Sequence, residues 1–216
     1  MTIHSSCPRD RHLRLGSLES TQLGDYLQSV HYFDRAFGQF IAALRARGLL
    51  DASVVALYGD HRAFLDADED LVKLLCLGGG AAARLWAVHG SVPFLVRLPH
   101  GQHAGRRSSA GGHLDIAPTL LSLLGIETAK EVLLGRDLTA PGVPLVVFRD
   151  GTFATNEYYT RRQQDRESCF GSGGGEPVDC PEREGLRRRA EQQLEVSDVI
   201  IGKDLISVLR GSRPAP

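Results

Sequence analysis

The 216 residues have no excess of charge of one sign and no long apolar run. The 25 basic side chains meet 26 acidic ones, a formal net charge of -1. Neither nucleic acid nor an anionic membrane is therefore indicated as the main partner. No apolar run approaches the ~20 residues that a membrane helix needs, and no basic-then-apolar signal peptide opens the chain. The expectation is a cytosolic protein, or one whose amino-terminal part is missing. The 4 cysteines are too few for a disulfide scaffold. The length suits one α/β domain with a real core, or a large part of a bigger one.

What is present is organised around Ser53 to His61. Val54 to Tyr58 is apolar almost throughout and reads as a strand buried on both faces, as in a parallel sheet. Gly59 ends it, and Asp60-His61 follow at the carboxyl edge, where ligands gather in open α/β sheets. A carboxylate beside an imidazole suits Mn²⁺, Zn²⁺ or Mg²⁺ and fills two of the four to six positions such an ion needs. On its own the dipeptide is better read as a helix-capping Asp next to an exposed His. Its surroundings decide between the two.

Before this strand, Leu23, Tyr26, Leu27, Val30, Phe33, Phe37, Phe40, Ile41 and Leu44 recur at three and four residues, the stripe of a long amphipathic helix that Gly48 can close. Asp66, Asp68, Glu69 and Asp70 lack the glycine and terminal glutamate of an EF-hand loop and read as a solvated helix start, with Gly78-Gly79-Gly80 as a hinge. Val92 to Leu98 reads as a second strand. His100 and His103 lie in the loop after it, expected at the same sheet edge as Asp60, and read as solvated. His113 precedes a helix that Asp115 can cap, with Pro118 in its first turn and Gly125 at its end. Leu145 to Thr155 is a hairpin about Asp150-Gly151. Cys169 and Cys180 flank a glycine-rich loop, either as a disulfide in an oxidising compartment or as two free thiols. Glu182 to Leu209 reads as one helix, with Arg187-Arg188-Arg189 on a solvated face.

The order Tyr26 to Asp34, Gly48 to Asp51, Val54 to His61, Val92 to Pro99 and Gly112 to Gly125 resembles the sulfatase-like branch of the alkaline phosphatase superfamily, in particular lipoteichoic acid synthases and phosphoglycerol transferases. The resemblance implies an α/β fold of the α/β/α sandwich type, present as the carboxyl-terminal half of the catalytic domain (residues 1–150), with a hairpin, loop and terminal helix (151–216) packing on it. It further implies a divalent ion, manganese first and Zn²⁺, Mg²⁺ or Ca²⁺ as alternatives, held by Asp60 and His61. His4 and His113 are the implied substrate-binding candidates. The threonine nucleophile and a glutamate ligand would lie upstream of Met1, so the isolated chain is expected to be inactive.

The activity so implied is transfer of phosphoglycerol from a phospholipid head group to a glycan or polymer. Catalysis would be extracytoplasmic, and the membrane would be reached only through a missing amino-terminal region. The alternatives are a sulfatase or phosphoethanolamine transferase on the same fold, and a degenerate glycan- or lipid-head-group-binding module. Cys7-Pro8-Arg9 does not supply a sulfatase signature, because its proline stands one position early.

Overall fold

The computed structural model describes residues 13–65, 69–75, 90–128, 131–163 and 166–211. The chain divides into two compact units, Met1–Gly105 and Arg106–Pro216. The boundary expected after residue 150 falls inside a hairpin turn.

In the first unit, α1 (Gln22–Ala46) has the predicted signals at both ends. The Thr21 hydroxyl accepts from the Gly24 amide at 3.0 Å. Gly48 is left-handed (φ 70°) and the Leu49 amide donates back to the Leu44 carbonyl at 2.9 Å, closing the last turn. Gly24 leaves no room for a side chain, since a Cβ would fall on the Leu18 carbonyl. Leu23 packs on Leu71 of α2 (Glu69–Leu74), flanked by Leu18, Leu27, Leu65 and Leu75. Of the 25 residues of α1 only Leu23 and Gly24 are buried. Leu23 and Leu27 of the predicted apolar stripe are packed, but farther along it Val30 is 44%, Phe33 50% and Phe40 50% exposed.

A short 3-10 turn, Leu50–Ala52, leads into β1 (Val55–Tyr58). Its only partner among the described residues is β2 (Phe94–Arg97), and the two run antiparallel, Val55 opposite Arg97 and Tyr58 opposite Phe94. This corrects the parallel, doubly buried strand expected from sequence. Apolar side chains do stand on both faces, but no residue of β1 or β2 is buried. The Arg97 guanidinium donates to the Leu50 carbonyl at 2.6 Å and to Asp51 Oδ1 at 2.7 Å, tying the end of β2 to the entry of β1.

The second unit opens with α3 (His113–Leu123). Pro118 lies inside it and not in its first turn as expected, so the Leu114 carbonyl loses its helical donor. The backbone of Gly135 lies directly against that carbonyl, where any Cβ would collide. The strands β3 (Val146–Val147), β4 (Phe153–Ala154), β5 (Tyr158–Gln163), β6 (Arg166–Gly171) and β7 (Pro177–Val178) form an antiparallel sheet in chain order. The predicted hairpin is β3–β4, and Gly151 (φ 83°) sits in its turn.

The core of this unit is Phe153, Tyr158, Cys169, Leu186 and Ala190, the last two from α4 (Arg183–Gly202). Cys169 and Cys180 are joined in a disulfide. Tyr158 donates its hydroxyl to the Pro181 carbonyl at 2.7 Å. Burial raises its pKa, with the Glu157 and Glu182 carboxylates adding to the shift. The helix predicted over Glu182 to Leu209 is two helices, α4 and α5 (Leu205–Gly211), because Asp204 takes a left-handed backbone (φ 47°). Arg187 also departs from the predicted solvated face. It donates to Glu167 Oε2 of β6 at 2.9 Å, a carboxylate whose side chain is only 8% exposed.

Candidate metal centre

Asp60 and His61 leave the sheet at the corner where β1 ends and β2 begins. The Gly59 amide donates to the Pro93 carbonyl at 3.0 Å, and a Cβ on Gly59 would meet the Val92 Cβ at 2.9 Å. Glycine here lets the two backbones approach and aims the next two side chains outward. Both are open to solvent. Asp60 Oδ1 and His61 Nε2 stand 3.6 Å apart, with side chains 79% and 41% exposed.

The ring orientation bears on whether the pair fits an ion. His61 Nδ1 lies 2.7 Å from the Arg62 carbonyl oxygen. A carbonyl oxygen only accepts, so Nδ1 carries the proton and the neutral ring keeps its lone pair on Nε2, the nitrogen facing Asp60. Ligand bonds of about 2.0–2.2 Å at a tetrahedral angle place two donor atoms roughly 3.4 Å apart. The spacing and the tautomer therefore fit a shared cation. Among the described residues no cluster of three His, Cys, Asp or Glu side chains could hold a metal.

Two neighbours were not singled out from sequence. The Phe64 ring lies 5.3 Å from the His61 ring, and the Arg62 guanidinium sits 5.7 Å over the same Phe64 ring. The only signal in the sequence is the Arg-x-Phe that follows Asp-His.

Of the other expected site residues, His100 and His103 lie away from the Asp60–His61 corner. His100 and His103 follow β2, and because the strands are antiparallel that loop lies at the opposite end of the pair from Asp60. Both have left-handed backbones (φ 56° and 55°). The shared edge expected for them is thus corrected. His113 belongs to the second unit, exposed at the start of α3. The loop before it is fixed: Asp115 accepts from the Gly112 and Arg136 amides, both at 2.8 Å, and Asn156 Oδ1 accepts from the Ala110 amide at 2.6 Å. His4, Cys7, Cys76, the acidic residues Asp66 and Asp68 and the Gly78-Gly79-Gly80 hinge lie outside the described residues.

An aspartate-histidine pair at a strand end, ahead of a second strand and a Gly-His-Leu-Asp-Ile helix start, defines a class. The Sulfatase family model matches residues 4–126, and the chain belongs to that family. Within it, the chain is 32% identical over 200 residues to lipoteichoic acid synthase 1 of Bacillus subtilis, covering 92% of this chain. It is 29% identical over 202 residues to the lipoteichoic acid synthase of Staphylococcus aureus strain USA300, covering 88%. The match spans 30% of the length of each of these relatives. The crystal structure of the lipoteichoic acid synthase LtaP from Listeria monocytogenes superposes with a TM-score of 0.78 at 26% identity, over 94% of this chain and 52% of that one. The fold is that of part of a sulfatase-type α/β domain.

Proposed function

We propose that this chain is the metal-holding part of a phosphoglycerol transferase of the lipoteichoic acid synthase type. The observation that carries the proposal is the Asp60–His61 pair, with Nε2 left free to ligate, in a chain similar to these synthases. Asp60 and His61 would hold a divalent cation, manganese by preference. When bound, such an ion polarises phosphoryl oxygens and lowers the pKa of a hydroxyl nucleophile. The Arg62 carbonyl fixes the imidazole tautomer, and Phe64 packs beside the ring and restrains it. The substrate is a phospholipid head group, with a glycan or polymer as acceptor. The nucleophile is supplied by the part of the domain that this chain does not include.

Catalysis outside the cytoplasm agrees with the Cys169–Cys180 disulfide, since such bonds persist in oxidising compartments. No helix among the described residues is long and apolar enough to cross a membrane.

The test is titration with Mn²⁺, followed by loss of the free-ion electron paramagnetic resonance signal. Asp60→Ala and His61→Ala are each expected to weaken binding at least about tenfold. Unchanged binding in both overturns the assignment. Sulfate-ester hydrolysis is the second reading, favoured by the family to which the chain belongs. Release of diacylglycerol from phosphatidylglycerol, against release of sulfate from an aryl sulfate, separates the two in the completed domain.

A further inference from the structure

The Asp60–His61 corner also carries a permanent cation, held by the ring that restrains His61. Between Tyr58 and Leu65 the sequence has one carboxylate, Asp60, and one permanent cation, Arg62. The Arg62 Cζ lies 5.7 Å from the centroid of the Phe64 ring, and the same ring lies 5.3 Å from the His61 ring. One phenyl group thus joins the imidazole to the guanidinium. Arg62 is fixed at a second point, since its carbonyl accepts from His61 Nδ1 at 2.7 Å. Among the described residues no carboxylate lies within ion-pair distance of its guanidinium, and the residue is exposed.

Stacking fixes where this cation stands without using up what it can bind. A guanidinium resting on an aromatic face keeps its N–H donors in its own plane, and that planar fork matches the oxygens of a carboxylate or a phosphate. The charges narrow the choice. A divalent ion on Asp60 and His61 exceeds the single negative charge of Asp60, so with Arg62 the corner becomes net positive, and cations held side by side repel. A phosphodiester is an anion with two non-bridging oxygens and answers both cations, whereas a hydroxyl has no charge to answer either. Arginine clamps on phosphoryl groups act in this way, by standing where negative charge gathers.

We infer that Arg62 is a specificity-determining residue of this site: seated on Phe64, its guanidinium binds the phosphodiester of the donor head group and so selects an anionic substrate over a neutral one. Phe64 is a positioning residue that acts through Arg62. The inference rests on the reading of Asp60 and His61 as metal ligands and adds to it the group that reads the substrate's charge.

The test uses the full chain with Mn²⁺ and glycerophosphoglycerol, the deacylated donor head group, with glycerol as the neutral control. Line broadening of the ³¹P resonance by bound Mn²⁺ reads the affinity of the diester. Arg62→Gln is expected to weaken that affinity at least about tenfold, while Mn²⁺ binding, followed by the free-ion electron paramagnetic resonance signal, stays as in the wild type. Arg62→Lys, which keeps the charge and loses the fork, falls between the two. Phe64→Leu is expected to weaken diester binding about threefold and Phe64→Tyr to restore it. Circular dichroism checks that each variant keeps its fold, as it should at exposed positions. Equal diester affinity in wild type and Arg62→Gln, or no measurable affinity in the wild type, overturns the inference. The ¹⁵Nε resonance of Arg62 reads the same contact without the ion, and is expected to shift with glycerophosphoglycerol and not with glycerol. Absence of Mn²⁺ binding with that shift intact overturns the metal assignment alone, so the two failures are told apart.

Discussion

The two sheets among the described residues reach opposite outcomes, and the one whose strands are more apolar, VALY and FLVR, is the less buried. In the five-stranded sheet, Phe153 is fully buried in a core shared with Ala190 of α4, Tyr158 lies edge-on to Phe153 at 6.2 Å, and Tyr159 stacks on Phe170 at 5.6 Å. Thr160, also fully buried, accepts the Phe153 amide at 2.9 Å. The chain needed for that core arrives within 60 residues, by hairpins and one following helix. In the two-stranded sheet no residue is buried. A meander carries its own partners, whereas a strand from a larger α/β sheet depends on segments remote in sequence. The difference lies in where the partners are encoded and not in how apolar the strands are.

The same substitution in the two regions gives the largest contrast. Phe153→Ala is expected to cost about 3–5 kcal/mol, as for a fully buried aromatic, whereas Phe33→Ala stays within about 0.5 kcal/mol. Urea unfolding of the two variants measures the gap, and equal losses would break the comparison. Cys169→Ser comes next. The bond closes a loop across a separation of 11 residues, and its loss is expected to cost about 3 kcal/mol, read as a lowered midpoint for the second unit.

Glycine substitutions sharpen the contrast further. Gly135→Ala is expected to destabilise by about 1–3 kcal/mol because the new Cβ meets the Leu114 carbonyl. Gly38→Ala, in open space on α1, is expected to stabilise by about 0.5–1 kcal/mol. Opposite signs in thermal melts are the expected result.

The smallest effect is electrostatic. Asp137 is partly desolvated, which works to raise its pKa. Hydrogen bonds from Ser122, from Thr139 and from the Thr139 and Ala140 amides outweigh this and hold it below the usual carboxylate value. A depressed folded pKa stabilises above the unfolded value, and that contribution is lost as pH falls through the folded one. Stability of the second unit is therefore expected to decline slightly more at acid pH than in Asp137→Asn, a difference that acid titration of the two proteins measures.

Features written in local chemistry were legible from sequence. Thr21 and Gly48 mark the ends of α1, Asp150-Gly151 marks the hairpin, and the Asp60-His61 pair is adjacent in the chain itself. Strand direction was not legible, because an apolar run such as Val54 to Tyr58 has the same composition in either orientation. That single ambiguity misplaced the His100–His103 loop. The position of Pro118 was misjudged for a tertiary reason, since Gly135 arrives from outside the helix to occupy the space beside the freed carbonyl. The His61 tautomer was also hidden, as it depends on a contact with a main-chain oxygen that no side-chain pattern records. The left-handed Asp204 interrupts a run that by periodicity alone continues.

The antiparallel crossing of β1 and β2 has a consequence for which parts of the chain can vary. The Asp60 corner packs against the backbone of Val92 and Pro93, more than 30 positions away, so a bulkier residue there would tilt the Asp60 and His61 side chains without touching them. Insertions among Gln102 to Gly105 would be felt only at the far end of the sheet. Mutational tolerance around this centre should therefore follow the geometry of the pair of strands and not distance along the sequence.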